Sequence, residues 1–313
     1  MNSNEKKVLV AVDGSNQSLE AVRYVSNTFL SHSTKVVLFH VLSSLPEFFY
    51  DLGETPRIPQ ATATIVGCEI ALRESINRFM SEAQDILVRA GISEERVEIY
   101  IHDREEGIAR DIIRESGHGY SVVIVGRNGL NKVNGFVLGS AASKVVEKII
   151  NIPTIIVGGK PNLVRILLAL DQSNDAMQAV EYVATTLDGS AFTVTLFHVV
   201  RDFNFLDQRF GTVINLTHKK EWVEEAKLAV KPVFEEARGR LVDAGLDPKR
   251  INTKLIEGAS SRAGAIVEEA TKGGYGTIVV GRRGVSKVYE FLMGRVSNKV
   301  IQMAKDQAVW VVP

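Results

Sequence analysis

The chain contains the same paragraph twice, and that repeat limits its folds more than any other feature. Val8-Leu-Val-Ala-Val-Asp13 aligns with Ile166-Leu-Leu-Ala-Leu-Asp171, Ala21-Val-Arg-Tyr24 with Ala179-Val-Glu-Tyr182, and Leu38-Phe-His-Val41 with Leu196-Phe-His-Val199. The later halves align through Gly119-Tyr120 and Gly274-Tyr275. A period of about 155 residues is too long for a solenoid, so each copy is expected to be a whole domain with its own core. Residues 1–158 and 163–313 form the two expected domains, with a linker at 159–162 in the run Gly158-Gly-Lys-Pro-Asn162.

Within each copy, short Val/Ile/Leu runs alternate with longer stretches of helical period. That pattern belongs to parallel strands buried on both faces between crossover helices. In the first copy it predicts strands at 8–12, 35–41, 97–101, 122–126 and 154–157, with helices at 18–30, 70–90, 108–114 and 141–150. The fold class is α/β, two tandem doubly wound domains. The stripes Ile76, Phe79, Met80, Ala83, Ile86, Leu87 and Ala226, Val230, Val233, Phe234, Ala237, Leu241 are read as helix faces packed on the sheet. The proline-broken stretch from Leu45 to Ala61 is either a lid or an irregular crossover.

Lysine plus arginine and aspartate plus glutamate number 37 each, so overall charge favours neither nucleic acid nor an anionic membrane. The single cysteine, Cys68, excludes an intrachain disulfide and a cysteine-built metal site. The apolar run from Val8 stops at Asp13, and no stretch reaches the roughly 18 apolar residues that span a bilayer. A cytoplasmic location is expected.

Each copy also carries a glycine-punctuated loop directly after a strand. The first reads Gly126-Arg-Asn-Gly129, nine residues, then Gly139-Ser140; the second reads Gly281-Arg-Arg-Gly284, nine residues, then Gly294-Arg295. Glycine after a buried strand lets the backbone turn sharply and approach a ligand closely. Ser140, Ala141 and Ala142 then offer free amides at a helix start, which is chemistry for a phosphate. In a sheet ordered 3-2-1-4-5, Asp13 and Gly126 end adjacent strands at the topological switch point, where ligands bind. Asp13, with Ala11 and Val12 before it, is read as a ligand contact or as a helix N-cap, and Val41 as an apolar wall for a purine. Arg127 and Arg282 are either phosphate clamps or solvated side chains. His40 and His198 are read as structural, and His102 and His118 receive no role.

With these residues in place, the chain resembles the universal stress protein family over its whole length, as two such domains in tandem. The family motif G-x2-G-x9-G-[S/T] is met at every position by Gly126, Gly129, Gly139 and Ser140. The resemblance implies an adenine nucleotide alpha hydrolase-like domain, a five-stranded parallel sheet of order 3-2-1-4-5. It implies ATP, or alternatively ADP or AMP, with adenine near Asp13 and Val41 and phosphates near Gly126, Arg127, Gly129, Gly139, Ser140 and Ala141. It also implies Mg2+ held mainly by the phosphates. Family members dimerise through their last strands, which implies pairing of Ile155–Val157 with Val309–Val312 as an intrachain pseudo-dimer, a homodimer of chains remaining open.

The second copy keeps the outline with Asp171, Val199, Gly281, Gly284 and Gly294, but departs at Arg295 and at Gln172. Arg295 either fills the pocket as an internal cation or neutralises a phosphate from outside it. Neither Gly-x4-Gly-Lys-[Ser/Thr] nor Gly-x-Gly-x2-Gly follows a first strand, and no convincing base appears, so fast catalysis is not expected. The leading expectation is an ATP-binding stress-response regulator sensed by an unknown protein partner. The alternatives are a slow ATPase or phosphate-transfer enzyme, and a docking protein whose motif is a relic.

Overall fold

The computed structural model describes residues 6–29, 34–43, 59–129, 138–159, 161, 164–187, 192–201, 216–284 and 293–313. The chain forms two compact units, residues 1–132 and 133–313. The sequence repeat and these units do not share a boundary, because the last strand of the first repeat hydrogen-bonds within the second unit.

In the first unit, β1 (Lys6–Ala11), β2 (Thr34–Leu42), β3 (Val97–Asp103) and β4 (Val122–Gly126) form a parallel sheet in the order β3-β2-β1-β4. Helices α1 (Asn16–Thr28) and α2 (Pro59–Arg89) pack on each other, and α3 (Ile108–Ser116) lies against β2. The central strands are buried on both faces, as their unbroken apolar runs require.

The second unit holds α4 (Ser140–Lys148), β5 (Thr154–Val157), β6 (Arg165–Ala169), α5 (Asn174–Thr186), β7 (Thr193–Arg201) and α6 (Leu216–Asp243). It continues with β8 (Ile251–Ala259), α7 (Arg262–Lys272), β9 (Thr277–Gly281), α8 (Arg295–Met303) and β10 (Ala308–Val312). The pairings give β8-β7-β6-β9-β10 in parallel, and β5 joins β10 antiparallel with Trp310 opposite Ile155. Helix α5 packs with α6 and α7 with α8, and α6 and α7 each reach β7. Trp310 is fully buried and meets Tyr182 edge to face at 5.5 Å.

The expected pairing of Ile155–Val157 with Val309–Val312 is present, and it runs on into the expected linker. The amide of Gly158 donates to the Gln307 carbonyl at 3.1 Å, and that of Gly159 to the Lys305 carbonyl at 3.0 Å. A Cβ on Gly158 would collide with the carbonyls of both Lys305 and Gln307. Residue 159, the first of the expected linker, is therefore hydrogen-bonded to the segment that precedes β10.

The second helix begins at Pro59, well before the expected start at residue 70. A proline is tolerated in the first turn because its missing N–H has no acceptor there, so the residue that suggested a loop opens the helix instead. The rest of the expected lid, residues 45–58, lies outside the described residues, as does its counterpart Asp202–Leu206.

Candidate functional site

Both first strands end in the same construction. After β1, the Val12 amide donates to the Phe39 carbonyl at 2.9 Å, and His40 Nδ1 donates to the Val12 carbonyl at 2.9 Å. After β6, Leu170 donates to Phe197 at 2.8 Å and His198 Nδ1 to the Leu170 carbonyl at 2.7 Å. Burial pushes both imidazoles below their ordinary pKa, with the carbonyl and the nearby Asp13 or Asp171 pulling back. They are neutral struts that fix where each strand stops.

The aspartates come next. Asp13 Oδ1 accepts from the Ser15 amide at 3.1 Å, and Asp171 Oδ1 from Ser173 at 3.0 Å. The N-cap role belongs to the serines: Ser15 Oγ accepts from Ser18 N and Ser173 Oγ from Ala176 N, each at 3.2 Å. Asp13 therefore does not cap α1. Its second oxygen faces Gly129, where a Cβ would overlap it, and a Cβ on Gly284 would lie 2.6 Å from Asp171 Oδ2. These two glycines are required by close approach of a carboxylate.

Where Gly14 sits at φ +86° in the first repeat, Gln172 in the second donates through Nε2 to the Ala229 carbonyl at 3.2 Å, tying the turn to α6. Val41 and Val199 are buried near the ends of their strands, and Ala11 and Val12 are buried before Asp13.

The glycine loop of the second repeat lies wholly in one unit. Gly281 closes β9 against the backbone of Asp175, where a Cβ would come within 2.7 Å. Asp175 Oδ2 accepts from the Arg283 amide at 2.8 Å, and Ser173 Oγ donates to the Arg283 carbonyl at 3.2 Å. Gly294 donates to the Arg282 carbonyl at 2.8 Å, and Ser297 Oγ to the Gly281 carbonyl at 2.7 Å. Asp171, Gly281, Gly284 and the head of α8 are thus one connected assembly.

In the first repeat, Asp13, Gly126 and Gly129 belong to the first unit and Gly139, Ser140, Ala141 and Ala142 to the second. Gly126 approaches the Gln17 carbonyl, 3.3 Å from a notional Cβ. Gly139 is the N-cap of α4 and Ser140 its exposed first residue.

The heads of the helices differ in a way that bears on ligands. α1, α5 and α7 begin with Ser15, Ser173 and Ser261, each accepting a backbone N–H. Before α3, Asp111 accepts from the amides of Glu105, Glu106 and Gly107. The two helices that follow the glycine motif, α4 and α8, begin at Gly139 and Gly294 with no side-chain cap. Their first amides are the donors a phosphate would take.

Neither of the two arginines beside the glycine loops is a solvated side chain. Arg282 is 1% exposed and donates to three carbonyls at the end of α4: Val146 at 2.9 Å, Glu147 at 2.6 Å and Ile149 at 2.9 Å. It is a C-terminal helix cap, favourable against the carbonyl end of the dipole, and not a solvated clamp. Arg127 is 4% exposed, so it too is interior. Arg295 is exposed at the start of α8 and does not fill the interior as a cation.

Sequence reasoning passed over two further arginines. Arg262 opens α7 within electrostatic reach of Asp171, His198 and Arg201. Setting Arg201 against Ser43, its counterpart in the first repeat, would have exposed the difference. Among the described residues, no three His, Cys, Asp or Glu side chains gather as a metal site, and no helix is long and apolar enough to cross a membrane.

Comparison with known proteins follows the same repeat. The model of the universal stress protein family matches residues 5–158 and again 163–313. A universal stress protein of Mycolicibacterium smegmatis is 23% identical over 321 residues, covering 99% of this chain and 98% of that protein. Universal stress protein YxiE of Bacillus subtilis is 23% identical over 144 residues, 45% of this chain and 93% of its own length. The crystal structure of a universal stress protein from Archaeoglobus fulgidus superposes with a TM-score of 0.64 at 20% identity, covering 99% and 98% of the two chains.

Proposed function

Since the chain belongs to the universal stress protein family over both repeats, we propose that it is a nucleotide-binding regulator of the stress response. Its first repeat takes an adenine nucleotide, ATP before ADP or AMP. The observation that carries this reading is the contrast in helix heads. Among the described helices with a defined N-cap, α1, α5 and α7 are closed by a serine of the protein, whereas α4 at Gly139, like α3 at Gly107 and α8 at Gly294, has no side-chain cap. An open head presents the amides of Ser140, Ala141 and Ala142, and Ser140 adds a hydroxyl.

Within the first unit, Asp13 and Val41 offer polar and apolar groups suited to a base and ribose. Gly126 and Gly129 keep the loop free of side chains. Arg127, buried beside Gly126, stays among the proposed phosphate contacts. When Mg2+ accompanies the nucleotide, it screens phosphate charge; the protein's own contribution is amides, a hydroxyl and the carboxylate of Asp13. Nothing in this set activates water, so binding itself is the signal, read by a protein partner through a state that the nucleotide stabilises.

The test is a thermal shift of the nucleotide-stripped chain with MgATP. The midpoint rises for the wild type by mass action and stays flat for Gly139→Asp, whose carboxylate caps α4 and occupies the same amides. Equal shifts in the two proteins would refute the assignment.

A further inference from the structure

The sheet of the first repeat ends at β3 and that of the second at β8, each paired on one side only among the described residues. A free edge offers amides and carbonyls to another chain, and proteins commonly blunt it with lysine, proline, a bulge or a covering group. β8 is blunted in several ways. Arg238 donates to the carbonyl of Ile251 at 2.8 Å and to that of Pro248 at 2.9 Å. The register with β7 breaks between Val199 and Arg201, and Gly258 sits at φ +73°. Its first exposed side chains, Asn252, Thr253 and Lys254, are polar.

β3 has little of this protection. Its register with β2 is unbroken, and it contains neither lysine nor proline. Ile99 and Tyr100, in its middle, are 38% and 36% exposed. Two hydrogen bonds fix which backbone groups face outward. The Arg104 amide donates to the Leu42 carbonyl on β2 at 2.9 Å, and Gln84 Nε2 of α2 donates to the Val97 carbonyl at 3.4 Å. Direction alternates along a strand, so even-numbered residues bond to β2 while Val97, Ile99, Ile101 and Asp103 face away from it. Among the described residues, α2 side chains bond to this strand only at its ends, Gln84 at Val97 and Arg73 at the Asp103 carboxylate.

The side chains beside this edge complement one another. Glu98, Tyr100 and His102 share a face, on which Phe39 meets Tyr100 edge to face at 5.2 Å and stacks with His102 at 5.9 Å. Arg114 donates to His102 Nε2 at 3.1 Å, which leaves the proton of the neutral ring on Nδ1 as a donor. Glu98 holds Lys35 through Oε2 at 2.8 Å and keeps a second oxygen as an acceptor.

We infer that β3 is a docking edge for a second copy of this chain, the two β3 strands pairing antiparallel about a two-fold axis at Tyr100. Outward-facing residues must meet outward-facing residues, and this axis sets Ile99 opposite the partner's Ile101 and Val97 opposite the partner's Asp103. An axis at Ile99 or Ile101 would keep the backbone match but shorten the overlap, and would set Tyr100 opposite Glu98 or His102. The axis at Tyr100 uses all seven residues of the strand. It brings the Glu98 carboxylate to the partner's His102 and lays the two Tyr100 rings side by side, so both Phe39–Tyr100 pairs join in one row. Opposite charges and aromatic pairs across strands are the contacts that stabilise a sheet. A contact made by one pair of edge strands is small, so the dimer dissociates on dilution.

The experiment is sedimentation of the full chain over a concentration series, for the wild type and for Ile99→Pro. Proline there removes an outward N–H and leaves the bonds to β2, made by the even-numbered residues, in place. Thermal unfolding of dilute protein checks that the fold is kept. The wild type should pass from monomer to dimer as concentration rises, and the variant should need at least tenfold more protein. The register is read from Tyr100→Cys in a Cys68→Ser background. Across the axis, residues 100 form a non-hydrogen-bonded pair with Cα atoms about 4.5 Å apart, within reach of a disulfide. Mild oxidation should cross-link this variant at least fivefold more than Ile99→Cys in the same background. A chain that stays monomeric would overturn the inference, as would a dimer that Ile99→Pro leaves unchanged. Equal cross-linking at positions 99 and 100 would overturn the axis at Tyr100. Both readouts are taken without nucleotide, so the outcome is separate from that of the nucleotide reading.

Discussion

The turn after β1 and the turn after β6 are near copies, yet the surfaces around them have diverged. Each pairs an aspartate with a serine-capped helix, a glycine pressed on the carboxylate and a histidine strut, at distances within 0.3 Å of one another across the repeats. The second repeat has Arg201, Arg262 and Arg283 at positions where the first has Ser43, Ile108 and Asn128. The difference separates what the fold needs from what a ligand needs. Residues that stop a strand and start a helix are held in both repeats, and residues that set charge are not.

Substitutions should break that division in order of size. The largest effect belongs to Arg282→Met, which strips three carbonyls at the end of α4 of a buried donor. Urea denaturation should show a loss of roughly 3 kcal/mol or more. Arg283→Asn next to it, whose side chain is exposed, should stay within about 0.5 kcal/mol. Equal losses would mean that scaffold and rim are not separable.

Next come Gly129→Ala and Gly284→Ala, each placing a methyl group on an aspartate oxygen. A loss of about 1–3 kcal/mol is expected in either repeat. Combining the change with Asp13→Gly or Asp171→Gly should recover much of it in a double-mutant cycle. A cycle with no coupling would remove the carboxylate contact as the reason for the glycine.

The histidines give a smaller effect that is symmetrical. The folded pKa values of His40 and His198 lie below the ordinary 6.5, so the fold prefers the neutral ring. Their contribution is complete above pH 6.5 and declines as pH falls below it, because the unfolded chain takes the proton first. The urea midpoint should drop between about pH 7.5 and pH 5.5. His40→Asn and His198→Asn should each remove a comparable share of the slope. A slope removed by one variant alone would show that the two turns are not equivalent.

The least change in stability is expected for Gly139→Asp. Glycine is already an acceptable N-cap, and aspartate improves on it by only a few tenths of a kcal/mol. Gly139 has φ −55°, so a side chain is not strained there. Binding should be lost while folding is kept.

Much of this architecture is legible in the sequence because strands buried on both faces leave uninterrupted apolar runs. The runs at Val122–Gly126 and Thr154–Val157 match the strands in full. The repeat located both turns, and the spacing of Gly126, Gly129 and Gly139 located the loop. What failed did so for physical reasons. Pro59 reads as a breaker until its place in a first turn is known. The hydrogen bonds at Gly158 and Gly159 are not legible because their partners, Gln307 and Lys305, lie far along the chain. Arg282 reads as a surface charge because sequence cannot reveal three carbonyls waiting at the end of a helix. Arg262 carries no motif, and its nearness to Asp171 and Arg201 appears only in the folded chain.

The most direct measurement is titration calorimetry of MgATP into the stripped wild-type chain and into Gly139→Asp under the same conditions, with melting temperatures taken alongside. The account predicts a Mg2+-dependent site in the wild type that the variant lacks, at a melting temperature equal to or slightly above that of the wild type. Superimposable isotherms would contradict it, because the open head of α4 would then hold no nucleotide.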